Sequence, residues 1–177
     1  MKFRCAGIVQ NSSVDGLGLR MAIFFQGCAH FCKDCQNQHT WDFQGGYETD
    51  TDIILKAYVE DELLSGITLT GGDPLYQPIA AYDISRRVHQ HGGNVWCYTG
   101  FTYDELKSSN SNDIKKLLVE IDILVDGPFI VEQKDPDLLW RGSDNQQILK
   151  LKNGIIEEVL TGAIGRSSVL RKQGYPY

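Results

Sequence analysis

The sequence predicts an α/β protein: one domain whose parallel sheet is built from βα units, as a partial barrel or an open doubly wound sheet. Three observations lead there. Short apolar or β-branched runs alternate with segments of helical spacing, the pattern of βα units and a parallel sheet. Four of those runs end in glycine-containing turns: Gly27, Gly71-Gly72, Gly100 and Asp126-Gly127. Four units fill about 100 of the 177 residues, whereas a closed eight-unit barrel needs roughly 250. A partial barrel fits that length, and so does an open doubly wound sheet.

The elements follow in order. Residues 21–26 (MAIFFQ) read as a buried strand stopped by Gly27. Residues 51–64 carry Ile54, Ala57, Tyr58 and Leu64 near helical spacing, with Gly66 as the stop. Residues 67–70 are a second strand. Residues 78–91 repeat the helical spacing with Ile79, Tyr82 and Val88, then stop at Gly92-Gly93. Residues 94–99 form a third strand, 113–120 a helix and 121–125 a fourth strand. Residues 147–152 and 155–160 flank Asn153-Gly154, a two-residue hairpin signal. Residues 165–177 read as a loose tail. In a parallel sheet all four glycine turns lie at the carboxyl edge, where α/β proteins bind ligands.

Composition narrows the function. Seventeen basic against 23 acidic residues give a net charge of −6, and no Lys/Arg run is present. That balance argues against binding a phosphate backbone. No stretch of about 18 apolar residues exists to span a membrane. No apolar segment follows Met1-Lys2-Phe3-Arg4-Cys5, so no secretory signal is expected and the chain is placed in the cytoplasm. Five cysteines are an odd number. In a reducing compartment, clustered cysteines point to metal or catalysis.

Three of them, Cys28, Cys32 and Cys35, form C-x3-C-x2-C in the turn after the first predicted strand. Three thiolates this close repel one another unless a cation or cluster holds them. Zinc and iron–sulfur are the two metal readings; inert thiols are the third. Zinc needs a fourth ligand, and Cys32-x2-Cys35-x3-His39 has zinc-like spacing. His30 lies too close to Cys28 and Cys32 to share one metal with both. A four-iron cluster on three cysteines leaves one iron open, as a reactive metal site requires.

The cysteine spacing resembles the radical S-adenosylmethionine superfamily. Leu69-Thr70-Gly71-Gly72-Asp73-Pro74 sits where that superfamily carries a Gly-Gly-Glu or Gly-Gly-Asp turn. Further segments narrow the resemblance: Asn37-Gln38-His39-Thr40-Trp41-Asp42, Trp96-Cys97-Tyr98-Thr99-Gly100-Phe101, Asp122-Ile123-Leu124-Val125-Asp126-Gly127, Lys134-Asp135 and Leu139-Trp140-Arg141-Gly142-Ser143-Asp144-Asn145-Gln146. Together they resemble the activating proteins of anaerobic (class III) ribonucleotide reductases, from about Val14 to Gln146. This implies one radical S-adenosylmethionine domain over 1–177, with a core of about 14–146 and a C-terminal extension at 147–177.

The resemblance also implies the chemistry. Cys28, Cys32 and Cys35 would ligate a [4Fe-4S] cluster whose fourth iron takes S-adenosylmethionine. Asp34, Gln36, Gly71, Gly72, Asp73, Thr99 and Asp126 would contact that cofactor. At Asp34 and Gln36 the family often has a small or aromatic residue and an aromatic. A one-electron donor such as flavodoxin would reduce the cluster, making the chain an oxidoreductase. Cleavage of S-adenosylmethionine would then give a 5′-deoxyadenosyl radical, which takes hydrogen from a glycine of the large reductase subunit. Two rivals stand beside this: an activase of another glycyl-radical enzyme such as pyruvate formate-lyase, and a zinc-stabilised binding module using His39. Of the remaining residues, Cys5 and Cys97 read as core, and His89 and His91 as helix-end groups. Asp126 reads as a turn or cofactor residue, Arg141 as a carboxylate holder or surface ion pair, and Trp140 as a core anchor.

Overall fold

In a computed structural model, which describes residues 1–167, eight strands form one mixed sheet. They are β1 (Lys2–Ser12), β2 (Arg20–Phe25), β3 (Tyr47–Asp50), β4 (Gly66–Gly71), β5 (Asn94–Tyr98), β6 (Ile123–Asp126), β7 (Gln147–Lys152) and β8 (Ile155–Val159). Their order is β3-β1-β2-β4-β5-β6-β7-β8. The four central strands, β2, β4, β5 and β6, run parallel, and the two at each end pair antiparallel. The helices are α1 (Thr51–Val59), α2 (Pro78–Gln90), α3 (Tyr103–Ser108), α4 (Asn112–Glu120) and α5 (Thr161–Ile164).

Register sorts the strand residues onto two faces, because side chains alternate along a strand. Met21, Ile67 and Val95 stand in one row, and Ile23, Leu69, Cys97 and Leu124 in another. Both rows belong to the main core, with Ile54 and Tyr58 of α1, Ala80, Ala81, Ile84 and Val88 of α2, Leu106 of α3, and Leu117 and Leu118 of α4. So α1 to α4 bury their apolar stripes against the same face. The opposite face carries Arg20, Thr68 and Trp96. A smaller core there joins Trp96, Val125, Trp140 and Ile148. Arg20 is fully buried. It donates from Nε to Thr68 Oγ1 (2.7 Å) and to the carbonyls of Leu17, Ile67 and Asn94, with its guanidinium 5.5 Å from the centre of the Trp96 ring. Burial without a carboxylate beside it lowers the Arg20 pKa to about 10.

Most predicted elements form, with shifted ends. The predicted helix 51–64 stops at Val59. Glu60, Asp61 and Glu62 follow, and three acidic groups at a helix C-terminus oppose its dipole. In α2 the buried stripe is Ala80, Ala81, Ile84 and Val88, and Ile79 faces solvent. The predicted hairpin is present: Asn153 (φ +52°) and Gly154 (φ +69°) both take the left-handed backbone of a type I′ turn. Strands β1 and β3 and helix α3 were not expected from the sequence. Helix α3 is a single capped unit of six residues, with Thr102 and Glu105 forming a capping box. Of the predicted loose tail, Arg166 bridges to Leu138, and Ser167 N–H donates to the Asp137 carbonyl. Residues 168–177 lie outside the described residues. No helix among the described residues is long and apolar enough to cross a membrane.

Candidate active site

At the carboxyl ends of the parallel strands lies a cavity of about 380 Å³. Cys28, Cys32 and Cys35 line it from the turn after β2. Gly71 and Gly72 come from the turn after β4, Thr99 and Gly100 from the turn after β5, and Gly127 from the turn after β6. Trp140, Arg141 and Gln146 close it from the loop before β7, and Val14 and Asp15 from the segment before β2. A smaller hollow of about 220 Å³, walled by Ile79, Tyr82 and Lys116, holds no cysteine and no strand-end turn. The chemistry therefore belongs to the larger one.

The cysteine loop is built by its backbone. Gly27 N–H donates to Thr40 O (2.8 Å), Cys28 N–H to Trp41 O (3.2 Å) and Cys35 N–H to Cys32 O (3.1 Å). Phe31 (φ +49°) and Asp34 (φ +56°) both take left-handed backbone, which disfavours residues with a Cβ by about 1–2 kcal/mol each. Two such reversals lie between the cysteines, all three of which line the cavity. Strain of this kind is concentrated at functional sites.

The turn after β4 is sewn to that loop. Gly72 N–H donates to Phe25 O (2.8 Å) and Asp73 N–H to Gly27 O (3.0 Å). A Cβ on Gly72 would lie 2.5 Å from Gly27 O, and one on Gly71 (φ +100°) 2.6 Å from Phe24 Cα. Only glycine permits both approaches.

The predicted site residues separate into two groups. Cys28, Cys32, Cys35, Gln36, Gly71, Gly72 and Thr99 share the cavity wall. Asp34, Asp73 and Asp126 are not among its lining residues. Asp34 is exposed on the loop. Asp73 is fully buried, its carboxylate taken up by Leu75 N–H, Thr99 Oγ1, Gly100 N–H and the His30 ring. Asp126 is buried and accepts from Tyr103 N–H (2.7 Å) and Gln147 N–H (3.3 Å), a turn role that fixes α3 and β7 to the end of β6. Burial raises its pKa.

Sequence reasoning underweighted two residues. His30 points at Asp73, 43 positions away, and no local spacing marks such a pair. Arg141 does hold a carboxylate, that of Asp144, with its Nη2 3.0 Å from Asp144 Oδ1. Its side chain is 2 % exposed and its Nη1 donates to Asp144 O (2.7 Å) and Gln146 O (3.0 Å), clasping the loop before β7. Trp140, beside it at φ +55°, packs edge-on against Trp96, as expected of an anchor. Cys5 and Cys97 are fully buried core residues.

The donor set fits an iron–sulfur cluster better than one ion. All five cysteines are free thiols. Among the described residues, no three His, Cys, Asp or Glu side chains draw together as a single-ion site. His39 is exposed and is not among the residues lining the cavity. A four-iron cluster takes cysteine thiolates, and Cys28, Cys32 and Cys35 all line the cavity. Burial pushes the Cys28 thiol up to about 11 and raises Cys32 as well. Thiolates there need a metal beside them, so loading releases protons.

Comparison with known proteins agrees with that chemistry. Residues 14–149 match the family model described as a 4Fe-4S single cluster domain, which defines the class of protein. The particular family follows from relatives named anaerobic ribonucleoside-triphosphate reductase-activating protein. The relative from Vibrio cholerae is 40 % identical over 143 residues, covering 76 % of this chain and 90 % of its own length. That from Haemophilus influenzae is 38 % identical over 149 residues, covering 78 % and 92 %. The one from Enterobacteria phage T4 is 33 % identical over 150 residues, covering 80 % and 90 %. The chain belongs to this family of activating proteins and carries its 4Fe-4S domain. Among solved structures, QueE from Escherichia coli aligns with a TM-score of 0.47 at 15 % identity, over 58 % of this chain and 54 % of that one.

Proposed function

We propose that this chain activates an anaerobic ribonucleoside-triphosphate reductase by cleaving S-adenosylmethionine reductively. The observation that carries the reading is the convergence of Cys28, Cys32 and Cys35 with the strand-end turns of β4, β5 and β6 on one cavity, in a chain of this family. Cys28, Cys32 and Cys35 would hold the cluster. With S-adenosylmethionine bound, it would supply the one-electron cleavage of the sulfonium bond that leads to a glycyl radical on the reductase.

The chain's own residues bind, orient and shield. Gly71, Gly72, Thr99 and Gln36 are assigned to the cofactor from the cavity wall, and the glycines leave main-chain groups open to it. Asp73 and Asp126 hold the turns behind them, and Asp34 sits on the rim. Trp140 and Arg141 add to the cavity wall from the loop before β7. The four parallel strands are read as a partial barrel. That reading is supported by α1 to α4 packing on one face, whereas a doubly wound sheet is covered on both. An open barrel suits a substrate that is a loop of another protein. A flavodoxin-like donor and the cytoplasm complete the proposal.

Anaerobic reconstitution with iron and sulfide tests it. The wild-type chain takes up a cluster and, once reduced, cleaves S-adenosylmethionine to methionine and 5′-deoxyadenosine. The Cys32→Ala variant loses at least 100-fold of that cleavage (about 2.7 kcal/mol in barrier). Full cleavage by the variant, or none by the wild type, contradicts the reading.

A further inference from the structure

Asp73 is the third residue of the Gly71-Gly72-Asp73 turn and lies behind the cavity wall. Its carboxylate is fully buried, yet four donors converge on it. Oδ1 accepts from Leu75 N–H (2.9 Å). Oδ2 accepts from Thr99 Oγ1 (2.8 Å), Gly100 N–H (3.0 Å) and His30 Nε2 (2.8 Å). Both carboxylate oxygens are thus filled from within the protein. His30 stands midway between Cys28 and Cys32 in the chain, and its ring is fixed in place. It lies flush on Gly100, where a Cβ would come within 2.5 Å of His30 Cδ2, and packs edge-on against Phe101 at 4.5 Å. The main-chain bond from Asp73 N–H to Gly27 O is a second tie. One buried carboxylate thus joins the cysteine loop to the turns after β4 and β5, and residues of all three line the cavity.

We propose that His30 and Asp73 form a latch: His30 positions the cysteine loop, and the Asp73 charge behind it keeps the bound cluster's reduction potential low. The inference rests on the reading that this loop holds a [4Fe-4S] cluster. The two effects are separable. Losing the His30 tie frees the loop between Cys28 and Cys32, so the cluster is less firmly held. Neutralising Asp73 removes a buried negative charge on a residue bonded to the cysteine loop at Gly27 and His30, and cluster potentials rise as nearby negative charge is removed. A low potential serves the reaction, because reducing a sulfonium demands a strong electron donor. His30 and Asp73 are positioning residues in this account.

The test uses the full chain, reconstituted anaerobically, with two readouts besides activity: the rate of iron loss to a chelator, and the cluster's midpoint potential from a titration followed by spin resonance. His30→Ala loses iron several-fold faster than wild type. His30→Gln keeps an N–H able to reach Asp73 and restores most of the retention. Asp73→Asn shifts the potential in the positive direction. Should Asp73→Asn fail to fold, the His30 pair still decides the positional half, since that ring is partly exposed (16 %). Iron retention in His30→Ala equal to wild type, or His30→Gln no better than alanine, overturns the latch. An unmoved potential in a folded Asp73→Asn variant overturns the electrostatic half. A wild-type chain that takes up no cluster overturns the proposed function itself, whereas variants that match a loaded wild type overturn only the latch.

Discussion

Gly72 has no room for a side chain. A Cβ there would sit 2.5 Å from the Gly27 carbonyl, which is backbone and cannot swing aside. Gly72→Ala therefore destabilises the chain by about 1–3 kcal/mol in urea unfolding, the usual cost of overpacking. It also pushes the cysteine loop off the end of β4, so less iron is retained after reconstitution. The glycine pair was legible in the sequence as a turn that lets a ligand approach backbone. That it also lets the cysteine loop approach was not, because the contact joins positions 27 and 72. The same holds for His30 and Asp73. Cysteine spacing is local and announces itself; a hydrogen bond across 43 residues does not. Cys28, Cys32 and Cys35 were readable for the first reason. The family resemblance implied cofactor contacts for Asp73 and Asp126, but their carboxylates are taken up by donors within the protein.

The loop between β6 and β7 shows what an element needs besides strands. Arg141 holds it closed from inside, through Asp144 O, Gln146 O and the Asp144 carboxylate at 3.0 Å. A planar fork makes those three contacts together, and a lysine ammonium on a flexible stem does not. Arg141→Lys lowers stability by about 1.5–3 kcal/mol, the scale of a lost hydrogen bond to a buried charged donor. Denaturant melts of the two proteins check it. A variant within a few tenths of a kcal/mol of wild type removes Arg141 from this role. Other elements were legible in proportion to their own chemistry. The parallel strands are apolar runs closed by glycine, and Asn153-Gly154 selects its hairpin. Strand β3, with the sequence Tyr-Glu-Thr-Asp, is a polar edge, and its pairing with β1 leaves no hydrophobic pattern to read.

Across the whole molecule, His89 ties the end of α2 to the end of α4 and the start of β6. Its Nδ1 lies 2.9 Å from Glu120 Oε2 and its Nε2 2.9 Å from Asp122 Oδ2. The sequence suggested a helix-end histidine facing the dipole or solvent; two carboxylates from other elements take it instead. Their pull, that of Asp122 first, raises its pKa to about 9. Folding therefore favours the charged ring. The stability it adds is complete below the unfolded value of about 6.5 and disappears as pH rises through about 9. Comparing Tm for wild type and His89→Gln across that window, the wild-type advantage shrinks by about 1 kcal/mol, the size of partly exposed ion pairs. A constant difference contradicts the pairing. Taken whole, the fold collects α1 to α4 on one face of the sheet and presents three cysteines with the strand-end turns at one edge. On the proposed reading, three cysteines rather than four leave an iron open, and that is the feature the account turns on. Its most direct test mixes the reduced, cluster-loaded chain with S-adenosylmethionine and the large subunit of an anaerobic ribonucleotide reductase, and looks for a glycyl radical by spin resonance. The account predicts a radical on the reductase, with none from pyruvate formate-lyase offered in its place; no radical on the reductase from a chain that holds its cluster contradicts it.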